Sequence, residues 1–224
     1  MGPEELRYME EFKTGELVVD PRTQILTEGA NSPLLYTTLR GMGLRHKLLP
    51  NGRRQVISFI FPGDFLGLQA GVMGEMGHSV EAVTQMTLCT FDRQGLWAFM
   101  RDHTERAFAL TWLAAVEEHF LGESLTTIGQ RSAEEAVAWA LSRIWIRGEA
   151  LGLAEGMAVP FPFRQQDLAD TLGLSLVHTN KTLAQLRQRG LADWSGGMLR
   201  VPNLMDLAKV GLLDDVEPQH RPLM

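Results

Sequence analysis

Residues 164–189 read Arg-Gln-Gln-Asp-Leu-Ala-Asp-Thr-Leu-Gly-Leu-Ser-Leu-Val-His-Thr-Asn-Lys-Thr-Leu-Ala-Gln-Leu-Arg-Gln-Arg. Leu168 and Leu172 lie four residues apart and share a helical face, and Ala169 between them is small enough for a second helix to cross closely. Gly173 supplies the left-handed backbone that stops one helix and redirects the chain. Ser175 is placed to cap a following helix, Leu176 to Arg189, with Thr179, Leu183 and Leu186 inward. Its outer face then carries Leu176, Val177, His178, Asn180, Lys181, Ala184 and Gln185. The pattern predicts a helix-turn-helix. The major groove of DNA admits one helix, whose first turns reach base edges. Leu176, Val177, His178, Asn180 and Lys181 are therefore the candidate base readers: Asn can pair with adenine, Lys can donate to guanine, and an apolar side chain can meet a thymine methyl. Arg164, Gln165, Ser175, Gln185, Arg187 and Arg189 are the candidate phosphate contacts, which set register. Gly190–Trp194 and Met198–Val201, joined by Ser195-Gly196-Gly197, predict a small hairpin wing.

The chain before this stretch has a different texture. Ser132-Ala133-Glu134-Glu135 has the spacing of a capping box, opening a helix to about Leu151 with Val137, Leu141, Ile144 and Trp145 inward. Met157–Phe161 allows a short strand. From Asp102 to Ile128 only Gly122 interrupts a helical pattern, which predicts one long helix ended by Gly129. Leu110, Leu113, Ala114, Leu121, Leu125 and Ile128 form its apolar stripe, broken by Glu117. A helix this long and apolar wants a partner, most economically its own copy in a homodimer. Residues 15–99 read as short strands between turns, at Glu28-Gly29, Arg40-Gly41, Pro50-Asn51-Gly52 and Pro62-Gly63-Asp64. Asn51-Gly52 predicts a hairpin with both turn residues at positive φ. The fold class is α+β.

The 224 residues allow one large or two modest domains, and 45% hydrophobic content provides a core. The single cysteine, Cys89, excludes an internal disulfide framework and is read as buried core. The acidic, polar opening does not read as a signal peptide, and no run approaches the roughly 20 apolar residues of a membrane span, so a cytoplasmic location is expected. Net charge is −6, yet residues 164–200 hold five basic and three acidic side chains, a balance of +2, leaving −8 elsewhere. A slightly basic module on an acidic body suits a DNA reader carried by a domain with another job.

The order of parts resembles the Crp/Fnr superfamily: a glycine-punctuated β-roll, a long helix, a linker helix and a C-terminal winged helix-turn-helix. The resemblance covers about residues 15–205 and rests on Leu26-Thr27-Glu28-Gly29, Pro62-Gly63-Asp64-Phe65-Leu66-Gly67, Arg131-Ser132-Ala133-Glu134-Glu135, Gln166-Asp167-Leu168-Ala169 and Leu172-Gly173-Leu174-Ser175. It implies a β-roll sensor domain at 1–101, a dimerisation helix at 102–129 and a winged helix-turn-helix with a C-terminal tail at 130–224. It further implies a homodimer on an inverted-repeat operator, with promoter DNA and RNA polymerase as partners.

Two departures bear on cofactors. Cyclic-nucleotide-binding members carry a Gly-Glu in the roll and an Arg-Ser later, where this chain has Gly67-Leu68 and His78-Ser79. Leu68 cannot accept a ribose hydroxyl, and His78 poorly replaces a bidentate phosphate donor, so cyclic AMP is not expected. Iron–sulfur members need four cysteines. Leu68, His78 and Ser79 remain as a possible pocket for another small effector, with Met73 and Met76 near it in sequence. His46, His78, His103, His119 and Cys89 are side chains whose chemistry would allow a haem. No Gly-rich phosphate loop, His-Glu-x-x-His or Gly-x-Ser-x-Gly motif points to an enzyme. Glu117-Glu118-His119 points in different directions on a helix and reads as a solvated face, not a metal patch. The competing reading is a ligand-binding or protein-interaction module whose helix-turn-helix does not read DNA.

Overall fold

The computed structural model describes residues 12–217, together with Arg7 and Glu10. Most of the acidic opening segment and the end of the C-terminal tail lie outside the described residues. The chain divides into two compact units, with the boundary between Glu118 and His119.

The first unit is built on two four-stranded antiparallel sheets. One has the order β1 (Lys13–Val19), β8 (Met86–Asp92), β3 (Leu34–Arg40), β6 (Phe65–Leu66), and the other β2 (Gln24–Leu26), β7 (Ser79–Ala82), β4 (Gly43–Leu48), β5 (Arg54–Ile60). Strand alternation sends one set of side chains into the roll, where Tyr36, Ile60, Leu66, Val80 and Leu88 are buried. The other face of the first sheet, through Leu35, Cys89 and Phe91, packs against Leu96 and Phe99 of α2 (Leu96–Asp102). It also packs against Leu110 and Leu113 at the start of α3 (Thr104–Gln130). A short helix α1 (Leu68–Met73) follows β6. Cys89 is buried, and burial pushes its thiol pKa up.

Three expectations change here. The β4–β5 hairpin closes at Leu49 and Arg53, with Leu49 N donating to Arg53 O at 2.8 Å. Only Gly52 takes positive φ (81°), while Asn51 Oδ1 accepts from Arg53 N, a wider loop than the two-residue turn. The long helix starts after His103, which breaks from helical geometry and separates it from α2. It also runs through Gly129 to Gln130, because one exposed glycine weakens a helix without ending it. Finally, Leu110 and Leu113, expected at a dimer interface, are buried in their own unit's core, and Glu117 does not interrupt an apolar seam. Instead, its carboxylate accepts from Arg45 Nη1 at 3.0 Å.

The second unit contains the end of α3, then α4 (Ala133–Ala150), β9 (Ala158–Pro160), α5 (Gln165–Leu172), α6 (Leu176–Gln188), β10 (Asp193–Ser195), β11 (Met198–Arg200) and α7 (Leu204–Val210). The Ser132–Glu135 capping box is formed in both directions. Val137, Leu141, Ile144 and Trp145 are buried as the spacing requires. Gly148 lets β9 approach α4, since a Cβ there would stand 2.9 Å from Val159. α1, α2 and α7 are additional helices that periodicity did not announce, each only six or seven residues long. No helix among the described residues is long and apolar enough to cross a membrane.

Candidate nucleic-acid interface

α5 and α6 meet through a turn with a clear local cause. Gly173 has φ 66° and ψ 23°, the left-handed geometry that ends α5, and its amide donates to Ala169 O. Ser175 is extended, and its Oγ accepts from His178 N at 3.2 Å, capping α6. Leu168 and Ala169 are fully buried beneath α6. The buried row of α6 is Thr179, Thr182 and Leu186. Leu183, expected inward, is only half-buried, and its neighbour Thr182 takes the buried place between Thr179 and Leu186.

All five candidate base readers are exposed. They are not equivalent. Val177, Asn180, Lys181 and Ala184 lie opposite the buried row, whereas Leu176 and His178 sit on its flanks. Val177 is 80% exposed, in the first turn of the helix, with nothing among the described residues to cover it.

The phosphate candidates occupy the rim. Arg164 precedes α5 and pairs with Asp167 at 3.0 Å; Asp167 is 1% exposed and also accepts the Arg164 amide at 2.9 Å. Arg187 pairs with Asp193 at 3.4 Å on the wing, and Arg189 pairs with Glu134 on α4. The Arg187 and Arg189 pairs are solvent-exposed and contribute about 0–1 kcal/mol each, so a phosphate can take over either arginine at little cost, whereas Arg164 answers a buried carboxylate. Gln165 and Gln185 are exposed. Ser175 presents its hydroxyl to α6 as a cap.

The wing is a three-stranded antiparallel sheet, order β10-β11-β9, one strand more than the hairpin expected from sequence. Trp194 secures it: its Nε1 donates to Phe161 O at 2.9 Å, and its ring lies 4.6 Å from that of Phe161.

The possible effector pocket comes out differently. Leu68 packs against the core beside α2. Ser79 is buried, with its Oγ accepting from Glu28 N at 3.1 Å. Burial, then the charges of Arg45 and Lys47, push the His78 imidazole down to about 4, so the ring is neutral near pH 7. Burial likewise lowers the pKa of His46. A feature that sequence reasoning passed over lies close by. Arg45 is buried on β4 and donates to Ser58 Oγ at 3.2 Å and Phe65 O at 3.1 Å, besides Glu117. It joins both sheets to the first half of α3. An arginine in the run Gly43–Leu48 gives no sign in sequence of which way it points.

Comparison with known proteins agrees with this architecture. Residues 16–103 match the model of a cyclic nucleotide-binding domain, and residues 135–210 that of a Crp-like helix-turn-helix domain. The nitrogen fixation regulation protein FixK of Bradyrhizobium diazoefficiens is 32% identical over 203 residues, covering 90% of this chain and 80% of that protein. The transcriptional activatory protein AadR of Rhodopseudomonas palustris is 31% identical over 173 residues, covering 76% and 70%. Among solved structures, that of FixK2 from Bradyrhizobium japonicum superposes with a TM-score of 0.77 at 24% identity, covering 88% of this chain and 96% of the other.

Proposed function

The chain belongs to the Crp/Fnr family of DNA-binding transcription regulators, and from that premise we propose that it acts as a homodimer reading an inverted-repeat operator through α6. The observation that carries the reading is the bare outer row of α6: Val177, Asn180 and Lys181, flanked by arginines and held rigid by the Ser175 cap and Gly173 turn. Asn180 and Lys181 read base edges, Val177 a methyl, and Arg164, Arg187 and Arg189 the phosphates.

Support for the dimer comes from α3. Past its buried start, Ala114, Glu118, Leu121, Leu125 and Ile128 are exposed at alternating steps of four and three, the spacing of a coiled-coil seam. Gly122 and Gly129 flank that seam with open space around each Cβ position, which lets a second helix come close. Two copies joined there would set their recognition helices about 34 Å apart, one turn of DNA. RNA polymerase is the expected partner at the promoter.

The roll is read as having no use for cyclic AMP. A core-packed Leu68 and an uncharged His78 offer nothing equivalent to a ribose acceptor and a phosphate-binding cation. Cys89 alone cannot hold an iron–sulfur cluster. A different small effector, or none, is the remaining reading, and no substrate chemistry is assigned to the chain.

The test is selection of genomic fragments with purified protein, then titration of the enriched site against salt. An enriched inverted repeat whose affinity falls steeply with salt supports the reading, through counterion release. Asn180→Ala or Lys181→Ala should then cost about 1–3 kcal/mol at the specific site with little change on random DNA. Arg187→Gln should weaken both alike and flatten the salt slope by about one. Weak binding indifferent to salt would mean that the helix-turn-helix serves protein contacts.

A further inference from the structure

One arginine ties together the corner where α3 turns into α4. Only Arg131 and Ser132 separate the two helices, and Ser132 is the extended residue of the corner (φ −62°, ψ 164°). The Arg131 amide still closes the last turn of α3 on Thr127 O at 3.2 Å. Its side chain is nearly buried and makes contacts in three directions. Nη1 donates to Thr127 Oγ1 at 2.8 Å, Nε to Gly211 O at 3.1 Å and Nη2 to Leu212 O at 3.4 Å. The Glu123 carboxylate lies 3.8 Å away, and the guanidinium carbon sits 5.5 Å from the ring centre of Trp139. A single side chain thus joins α3, α4 and the chain leaving α7.

The partners suit the chemistry. Gly211 and Leu212 follow the end of α7, where carbonyls lack helical donors and a cation is favoured. Leu212 has φ 52°, a backbone that branched L-residues rarely adopt, and its carbonyl is one that the guanidinium holds. Gly211 is pressed against α4 so closely that a Cβ would stand 2.6 Å from Trp139 N. Phe120 of α3 stacks on Trp139 at 6.2 Å and 21°. Rotation about Ser132 would break together the Arg131 bonds to Gly211 and Leu212, its contact with Trp139 and the Phe120–Trp139 stack.

We infer that Arg131 is a positioning residue for operator recognition: it locks the α3–α4 corner, so that the helix-turn-helix is held at one angle to the end of α3 and the dimer accepts one half-site spacing. This rests on the dimeric reading above. A merely structural arginine would, when replaced, lower stability and weaken all DNA binding alike. A positioning arginine, when replaced, changes which spacing is preferred.

The experiment uses the full chain as wild type, Arg131→Gln and Thr127→Val. Fluorescence anisotropy is measured on the selected inverted repeat, on repeats with one base pair added or removed at the centre, and on a single half-site. One base pair moves a half-site by about 3.4 Å and turns it by about 34°. Wild type should prefer the selected spacing by about tenfold or more, and Arg131→Gln should reduce that preference to about twofold with half-site affinity kept. Thr127→Val, which removes one acceptor, should shift the preference in the same direction by less. Variants that keep the wild-type spacing preference, or that lose affinity equally on every DNA, overturn the role of Arg131. Should circular dichroism show Arg131→Gln unfolded, Thr127→Val decides alone. A wild type indifferent to spacing overturns the dimeric reading and this inference with it.

Discussion

The two halves of α3 carry apolar side chains at the same helical spacing and dispose of them in opposite ways. Leu110 and Leu113 in the first half are sealed against Leu35, Phe91 and Phe99 of their own unit. Leu121, Leu125 and Ile128 in the second half stand bare, Leu125 at 73% exposure. Periodicity reports that a stripe exists. It does not report what covers it, because that depends on which other surface reaches the stripe. An uncovered stripe at seam spacing is the mark of a partner, and a covered one is only core.

Breaking the bare half should have the largest effect. Leu125→Glu places like charges across a two-fold seam, which costs several kcal/mol of association. Analytical ultracentrifugation should show monomers for this variant and dimers for wild type, while the melting temperature of the monomer stays near its own reference. A dimer that survives would place the interface elsewhere. Leu113→Ala inverts the pattern. It opens a cavity in a closed core and should cost about 2–5 kcal/mol of stability in urea unfolding, with dimerisation of the folded fraction intact. Loss of the dimer with no loss of stability would mean that Leu113 faces the partner after all.

Acid sharpens the contrast from the polar side. His78 is held neutral in the first unit, with its pKa down to about 4 against an ordinary value near 6.5. The unfolded chain therefore binds the proton more readily. The stability tied to the neutral ring is present above about pH 6.5, falls away as pH drops toward 4, and amounts to at most roughly 3 kcal/mol. His78→Gln should lose less stability than wild type between pH 7 and pH 4.5 by urea titration. Equal losses would mean that the ring is solvated.

Much of this was legible in the sequence because it rests on local chemistry. The Ser132–Glu135 box, Gly173 and Ser175 each act within four residues, so spacing alone placed α4, α5 and α6. The exposed row on α6 followed from the same periodicity. What was not legible depends on distant parts of the chain. Leu110 looked like Leu125 until the sheet that covers it was in place. Arg45 and Arg131 gave no sign of their roles, because their partners Glu117 and Gly211 lie far along the chain. Asn51-Gly52 has the composition of a tight turn, but strand pairing at Leu49 and Arg53 chose a wider one. Thr182 and Leu183 are neighbours of which only one can face in, and the less apolar one does.

Val177 carries the same comparison down to a single side chain. It is as bare as Leu125, but it stands in the first turn of a helix shaped for the major groove, so the cover expected for it is a thymine methyl. Burying one methyl is worth about 0.8 kcal/mol, or roughly a fourfold change in affinity for each half-site. Replacing each thymine of the selected half-site in turn by deoxyuridine removes that methyl and leaves the base pair intact. One position should lose about fourfold with wild type and almost nothing with Val177→Ala, while the other thymines lose equally with both proteins. If every thymine behaves alike in the two proteins, Val177 faces solvent in the complex and the row that reads bases begins at Asn180.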